Sequence, residues 1–273
     1  MTSFLFWNVM NRDLRGLIAR AVVERDVDIV LVAESGVPDP DMIGALFTAT
    51  GDDYAALSDD ADKVRVFTRL PVDRWIRRQR DSLSDRMAIW SVAVGRPPGI
   101  LLVATHFVSK NHSSSSEQAM RAQEVAKEIN RVEEGVGHER TIVVGDLNMN
   151  PFEDGVTGGL ALHAVMTKAL AGRVERIVGG IPRRFFYNPM WGHFGDRTAG
   201  PPGTYYHRSP ADAELFWHMF DQVLLRPSVM GLLHGLSIID SIDGESLLTK
   251  PAGLPRESAY SDHLPLTFNL TLD

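Results

Sequence analysis

Thr141-Ile142-Val143-Val144-Gly145-Asp146-Leu147-Asn148 reads as a short apolar strand that ends by delivering a glycine and two oxygen-bearing side chains. A brief, continuous apolar run bounded by turn signals is the pattern of a strand buried on both faces. The same layout recurs along the chain. Phe4 to Trp7 runs into Asn8, Ile29 to Ala33 into Glu34, and Ile100 to Thr105 into His106. Phe220 precedes Asp221, and Ser261-Asp262-His263 stands just before Leu264 to Leu270. In layered α/β proteins, groups at one edge of the strands converge on a common cleft. Two amides, four carboxylates and two imidazoles are therefore expected to share one site.

Between these runs the period changes. Leu14, Leu17, Ile18, Ala21 and Val22 repeat at helical spacing, which predicts a helix over Asp13–Arg25. Further helices are expected over Pro38–Ala49, from about Glu117 to Glu134 behind the Ser113–Ser116 loop, and over Gly159–Leu170. Weaker strands are expected at Tyr54–Leu57, Val64–Thr68, Val72–Arg77 and Met87–Val94. Ala171–Arg208 is poor in pattern and rich in Gly, Pro, Arg and aromatics, so a loop-rich insertion is expected around 171–208. Alternation between periods of 2 and 3.6 predicts an α/β (α+β) fold. No repeat or linker divides the chain, and one domain over 1–273 is expected.

The 273 residues are 44% hydrophobic and 23% charged, enough to build a core and unlike a disordered chain. Absence of cysteine excludes disulfides, thiolate zinc sites, iron–sulfur clusters and a cysteine nucleophile. The net charge of −7 argues against a surface that grips polyanions everywhere. Locally, Lys63–Arg86 carries eight Lys/Arg against three Asp, behind an acidic stretch from Asp52 to Asp62. It is the natural candidate for holding a polyanion, against the plain reading of a solvated face. The start has no positive segment followed by a long apolar one, and no run approaches the ~18–20 apolar residues of a membrane span. A cytoplasmic protein is expected.

The predicted edge set has a definite chemistry. Amide and carboxylate oxygens are hard donors that suit Mg²⁺, Mn²⁺ or Ca²⁺ rather than zinc. Crowded carboxylates repel one another unless a cation neutralises them. A histidine beside an aspartate serves as an oriented base. Together these are the equipment for hydrolysing a phosphate ester. Each residue alone has a plainer reading: Asn8 as a helix cap, Glu34 and Asp221 as solvated strand ends, His106 as a core imidazole, Asp146 and Asn148 as turn formers, Asp262-His263 as a strand cap. One shared site accounts for all of them at once.

Trp7-Asn8, Glu34, Thr105-His106, Gly145-Asp146-Leu147-Asn148, Asp221 and Ser261-Asp262-His263, in that order, resemble the endonuclease/exonuclease/phosphatase superfamily, which includes deoxyribonuclease I-like enzymes. The resemblance covers residues 7 to 268. It implies a four-layer α/β/β/α sandwich, with two mixed β-sheets packed face to face and helices outside. It implies Glu34 as the principal metal carboxylate with Asn8 beside it, and Asp262 as a further ligand. His263, held by Asp221, resembles the base or phosphate contact. Asp146 and Asn148 resemble the pair that handles the attacking water and a phosphate oxygen. His106 resembles the donor to the phosphate or leaving oxygen. Whether His263 or Asp146 takes the proton stays open. Met10 stands where some abasic-endonuclease-like members have an acid, which disfavours a repair-type abasic endonuclease and removes one candidate metal contact; Ala33 stands where many members have Gln, which touches only a detail of the pocket.

The expected function is a Mg²⁺-dependent phosphodiester hydrolase, foremost a nuclease on DNA or RNA, with 5′-phosphate and 3′-hydroxyl products implied by the resemblance. Two alternatives stay beside it: a phosphatase or phosphodiesterase of a small phosphorylated substrate (inositol phosphate, nucleotide or phospholipid head group), and an inactive binding module. The aromatic segment Phe185–Trp191 offers rings for stacking bases, for a membrane surface, or simply for packing on the sheet. Thr204-Tyr205-Tyr206-His207 follows it as a candidate for the cleft lining, with His193.

Overall fold

Successive side chains of a strand point to opposite faces, and along Thr2–Asn8 both faces are buried. Phe4 and Phe6 enter one apolar layer, Leu5 and Trp7 another. That double burial is why the strand reads as an unbroken apolar run instead of an alternating one.

The computed structural model describes residues 1–57, 61–78, 85–95, 97–208 and 216–272. Its sheet strands, in chain order, are β1 (Thr2–Asn8), β2 (Ile29–Ala33), β3 (Ala55–Ala56), β4 (Val64–Thr68), β5 (Trp75–Arg77), β6 (Met87–Val92), β7 (Ile100–His106), β8 (Thr141–Asp146), β9 (Ala164–Val165), β10 (Phe186–Tyr187), β11 (Asp221–Leu225), β12 (Leu233–Ile238) and β13 (Leu266–Leu270). The first sheet has the order β12-β13-β1-β2-β4-β3, the second β5-β6-β7-β8-β11-β10-β9. Both are mixed: β1 runs parallel to β2 and antiparallel to β13, and β7 runs parallel to β8 and antiparallel to β6.

The sheets pack face to face through Phe4, Phe6, Ile29 and Leu31 on one side and Leu102, Ile142, Val144 and Val223 on the other. Helices α1 (Arg15–Arg25) and α2 (Asp39–Thr50) cover the outer face of the first sheet through Leu17, Ile18, Met42 and Leu46. Helix α3 (Ser115–Val136) covers the second through Ala122, Val125, Ile129 and Val132. The result is a four-layer α/β/β/α sandwich. Helix α3 starts at a capping box, with Ser114 Oγ accepting from Glu117 N and the Glu117 carboxylate accepting from Ser114 N at 2.7 Å. It ends at Gly137, whose φ of 75° closes the last turn.

Some expectations need correction. Gly159–Leu170 is not a helix. Gly158 and Gly159 interrupt the backbone, His163 takes φ 53°, and Ala164–Val165 pairs with Phe186–Tyr187 as the sheet's edge. Only short helical turns flank it, at Asp154–Thr157 and Lys168–Ala171. Val72–Arg74 is a 3-10 turn behind Pro71, so β5 begins only at Trp75. β12 had no expectation: it is half-exposed and bulged near Gly235, which blurs its period. Within 171–208, Glu175–Val178 and Ile181–Arg184 pair as a hairpin around Gly179-Gly180. Phe185, Phe186 and Met190 are buried, and the Arg226 guanidinium lies 3.9 Å over the Phe186 ring, so that part of the aromatic segment packs.

The basic stretch is not one continuous face. Arg65 pairs with Asp39, and Arg69 is held by Asp26, Asp28 and Asp52 at the end of the sheet where β2 begins. Arg80 and Asp81 of that stretch, and Asp59 and Asp60 before it, lie outside the described residues. No described helix is long and apolar enough to cross a membrane.

Candidate active site

The direction of the strands decides where the polar side chains go. β1, β2, β7 and β8 all point the same way, so Asn8, Glu34, His106 and Asp146 emerge at one end of the sandwich. β11 and β13 run opposite, so Asp221 at the start of β11 and Asp262-His263 before β13 come back to that same end. All eight residues singled out in the sequence are gathered there, with residues from both sheets.

Gly145 is needed for close approach. A Cβ at that position would meet the Thr105 carbonyl oxygen at 1.8 Å, so only glycine lets β8 lie against β7 there. Four non-glycine residues around the site occupy the left-handed region: Met10 (φ 52°), Asn11 (55°), Glu34 (50°) and Asn148 (49°). Such positions persist only where surrounding bonds hold them. Asn11 N donates to Glu34 O at 2.8 Å, and Asn148 N donates to Asp146 Oδ1 at 2.8 Å. Ser261 Oγ donates to Asn8 O at 2.7 Å and accepts from His263 N at 3.1 Å; Trp7 Nε1 donates to His263 O at 2.9 Å. These bonds tie the Ser-Asp-His segment to β1.

Two groups of side chains face one another. In the first, Asn8 Nδ2 donates to Asp146 Oδ2 at 3.0 Å and to Glu34 Oε1 at 3.3 Å. His106 Nε2 lies 3.3 Å from Glu34 Oε1 and 3.7 Å from Asp146 Oδ2. In the second, His263 Nδ1 meets Asp221 Oδ2 at 2.8 Å while its Nε2 faces Asp146 Oδ2 at 3.8 Å. Asp221 N in turn donates to Thr204 Oγ1 at 3.0 Å. Asn148 Nδ2 is engaged by the Phe107 carbonyl at 3.0 Å. A cleft of about 290 Å³ is lined by Asn8, Glu34, Asp146, Asn148, Asp262 and His263.

The electrostatics follow from burial and contact. The His106 hydrogen bond outweighs the opposing effect of burial and, with Asn8, holds the Glu34 carboxyl down at about 2. Burial pushes the Asp262 carboxyl up against the pull of His263. Burial also works against charge on His263, but Asp221 and Asp146 outweigh it and raise the ring well above the ordinary imidazole range. Asp221 has no exposure, so burial pushes its carboxyl up against the pull of His263. Its Oδ2 meets His263 Nδ1 at 2.8 Å, while its buried Oδ1 has no hydrogen-bond partner among the described residues, and the two side chains stand as an ion pair.

Does this set fit a divalent cation? Glu34, Asp146 and Asp262 supply hard oxygen donors and outnumber the two imidazoles, while Asn8 turns its Nδ2 toward Glu34 and Asp146 and its Oδ1 accepts from Met10 N at 3.0 Å. Asp146, Asp221 and His263 also bring ligand atoms within 4.8 Å of one another. Asp221, however, is committed to His263, which leaves the cleft-facing oxygens as the better donors. The donor chemistry fits a hard cation.

Sequence reasoning missed part of the lining. His218, Phe220, Lys110 and Asn111 border the cleft beside the anticipated Tyr205 and His207. Tyr205 stacks on Phe220 at 5.2 Å and lies 4.7 Å from His263. Burial pushes its phenol up to about 12, so it stays a neutral donor. Lys110 and Asn111 lie in the loop leaving the His106 strand, so the strand-end argument, carried four residues further, reaches them. His193 and Tyr206 do not line the cleft.

Residues 5–263 match the model of the Endonuclease/Exonuclease/phosphatase family. The chain belongs to that family. Solved structures of the family's fold superpose over almost the whole chain. An AP endonuclease from Archaeoglobus fulgidus is 14% identical, with a TM-score of 0.58 and 99% of each chain covered. An endonuclease/exonuclease/phosphatase family protein from Bacteroides thetaiotaomicron is also 14% identical, with a TM-score of 0.58 over 100% of this chain and 98% of the other. The endonuclease domain of TRAS1, a telomere-specific non-LTR retrotransposon, is 15% identical with a TM-score of 0.54 over 99% and 98%. At these identities the likeness is one of fold. No curated protein sequence gave a significant match.

Proposed function

We propose that this endonuclease/exonuclease/phosphatase family member is a divalent-metal-dependent phosphodiester hydrolase, a nuclease acting on DNA or RNA, carried by a single domain. One observation supports the reading above the others. Asn8, Glu34, Asp146 and His263 line one cleft, Glu34 bonded to His106 and His263 to Asp221, with His263 Nε2 and Asp146 Oδ2 3.8 Å apart. Glu34, Asn8 and Asp262 would hold Mg²⁺, for which Mn²⁺ or Ca²⁺ could substitute. Bound there, the cation would polarise the scissile phosphate and stabilise the charge developing on its oxygens.

The chain's own residues account for the remaining roles. Asp221 fixes the His263 ring through Nδ1, so Nε2 is presented to the cleft. Asp146 and Asn148 orient the attacking water. Asp146 Oδ2 is placed to take its proton; His263 Nε2, 3.8 Å away, takes it only from the neutral ring, and the ring charged against Asp221 serves instead as the phosphate contact. His106 Nε2 donates to a phosphate oxygen or the leaving oxygen. A second reading, hydrolysis of a small phosphorylated substrate, draws on the net charge of −7 and on the carboxylates that already occupy Arg65, Arg69 and Arg208.

A substrate panel with Mg²⁺, Mn²⁺ and EDTA arms tests the proposal. Single- and double-stranded oligonucleotides are expected to be cut only with metal, and not by Glu34→Gln or His263→Ala. Release of phosphate from small phosphomonoesters with no action on oligonucleotides would replace the nuclease reading by the second. Hydrolysis that is indifferent to EDTA would overturn both.

A further inference from the structure

The aromatic segment Phe185–Trp191 divides in the folded chain. Phe185 and Phe186 are buried, but Trp191 leaves the 3-10 turn Pro189–His193 only half-buried. Its ring meets Phe152, with centroids 6.5 Å apart. Phe194 packs on Phe152 edge to face at 5.9 Å. Phe152 itself is 46% exposed. Three rings from two distant segments therefore form one patch at the surface.

The patch adjoins the cleft. Phe152 follows Asn150-Pro151 on the loop that leaves β8 beyond Asp146 and Asn148. Its neighbour Glu153 bonds Lys110 Nζ at 2.7 Å and accepts from Asn150 N at 2.7 Å. Asn150 Nδ2 lies 2.9 Å from His218 Nδ1. Lys110 and His218 both line the cleft, so one residue separates the exposed ring from the cleft wall's own bonding network.

We propose that Phe152, Trp191 and Phe194 form a stacking platform for an unpaired base of the substrate, close to the phosphate that is cut. The inference rests on the nuclease reading of the cleft and narrows it to single strands, strand ends or unpaired nucleotides. An exposed cluster of large apolar side chains beside a functional cleft marks a contact surface. Flat rings take any base, because every base has a π-face. Bases inside a duplex already cover one another's faces and cannot use such a surface. Recognition through charge has less to work with here, because Lys110 is held by Glu153 and Arg208 by Glu257.

Binding in EDTA, read by anisotropy of labelled strands, tests the platform apart from cleavage. The probes are a short oligothymidylate and an abasic strand of equal length, which carries the same charge without rings. The wild type is expected to prefer the oligothymidylate. Phe152→Leu and Trp191→Leu are expected to weaken that binding roughly 5- to 150-fold, the equivalent of about 1–3 kcal/mol for one stacked base. They should leave abasic-strand affinity and, for Phe152→Leu, melting temperature unchanged. With Mg²⁺, the variants' KM for the oligothymidylate should rise while kcat holds. Equal affinity for the two probes, or a preference that survives Phe152→Leu, overturns the platform. So does Phe152-dependent binding to phosphatidylserine vesicles with the base preference untouched. Failure of the wild type to cleave any phosphate ester would instead sink the nuclease reading, while the EDTA titration still decides the platform.

Discussion

Asp221 shows how much one side chain's surroundings decide. It is fully buried, directly opposite Asp146 in the β8–β11 pairing, and its charge is answered by His263 at 2.8 Å. Asp221→Asn keeps the shape but removes the charge that selects the His263 ring's orientation and protonation. We expect kcat for a phosphodiester to fall by about 10²- to 10⁴-fold, as when a buried histidine loses its orienting carboxylate, with the far-UV spectrum unchanged. Glu34 gives a pH prediction. Its folded value, about 2, lies below the usual glutamate value near 4.3. A depressed acid stabilises the fold at pH above its unfolded value, and that stability is lost as pH falls through the folded one. In EDTA, the stability difference between the wild type and Glu34→Gln should therefore shrink as pH drops from about 4.3 toward 2. A difference that stays constant across urea titrations in that range would show that the His106 contact does not hold the carboxylate.

The elements show what the sequence could and could not reveal. Strands buried on both faces announced themselves as apolar runs: β2 falls where expected, and β7 and β8 extend to include His106 and Asp146, while the weaker expectation at β4 also holds. The polar residue at each run's end was legible for the same reason, since apolarity stops where the sheet meets the cleft. The sheet edges were legible only in part: β3 and β5 fall inside expected strands, and the other two edges do not. β9 and β12 lack a clean period, and pairing with distant partners, not local preference, sets their backbone. Glu133 is another case. On helix α3 it reads as a solvated acid, yet it is 1% exposed and holds Arg226 through two bonds of 2.9 and 3.0 Å. Arg226 also reaches Asn130 and the Phe185 carbonyl, so the pair locks α3 to the end of β11. Removing one partner strands a buried charge. Glu133→Ala should cost about 3–5 kcal/mol in urea unfolding, far more than an exposed ion pair would. A loss under 1 kcal/mol would mean that water reaches Arg226.

At the scale of the whole molecule, the cleft belongs to neither sheet. Asn8 and Glu34 come from the first, and His106, Asp146 and Asp221 from the second, so their juxtaposition depends on the packing of Phe4, Phe6, Leu102 and Val144 between them. A ligand that binds only the assembled state must raise its stability. Mg²⁺ at about 100 times its dissociation constant should add about 2.7 kcal/mol and raise the melting temperature, and Glu34→Gln should abolish the shift. An equal shift in the variant would place the ion elsewhere.

The position of β13 has a consequence for the chain's biogenesis. β13 lies between β12 and β1, inside the first sheet, and His263 comes just before it. Until residues 263–270 have left the ribosome, β1 lacks one of its two neighbours and the cleft lacks its imidazole–aspartate partner. Domains complete their folding as units during synthesis. Nascent polypeptides of this protein should therefore be inert, and any chemistry at the cleft would begin only once this last segment had joined the sheet.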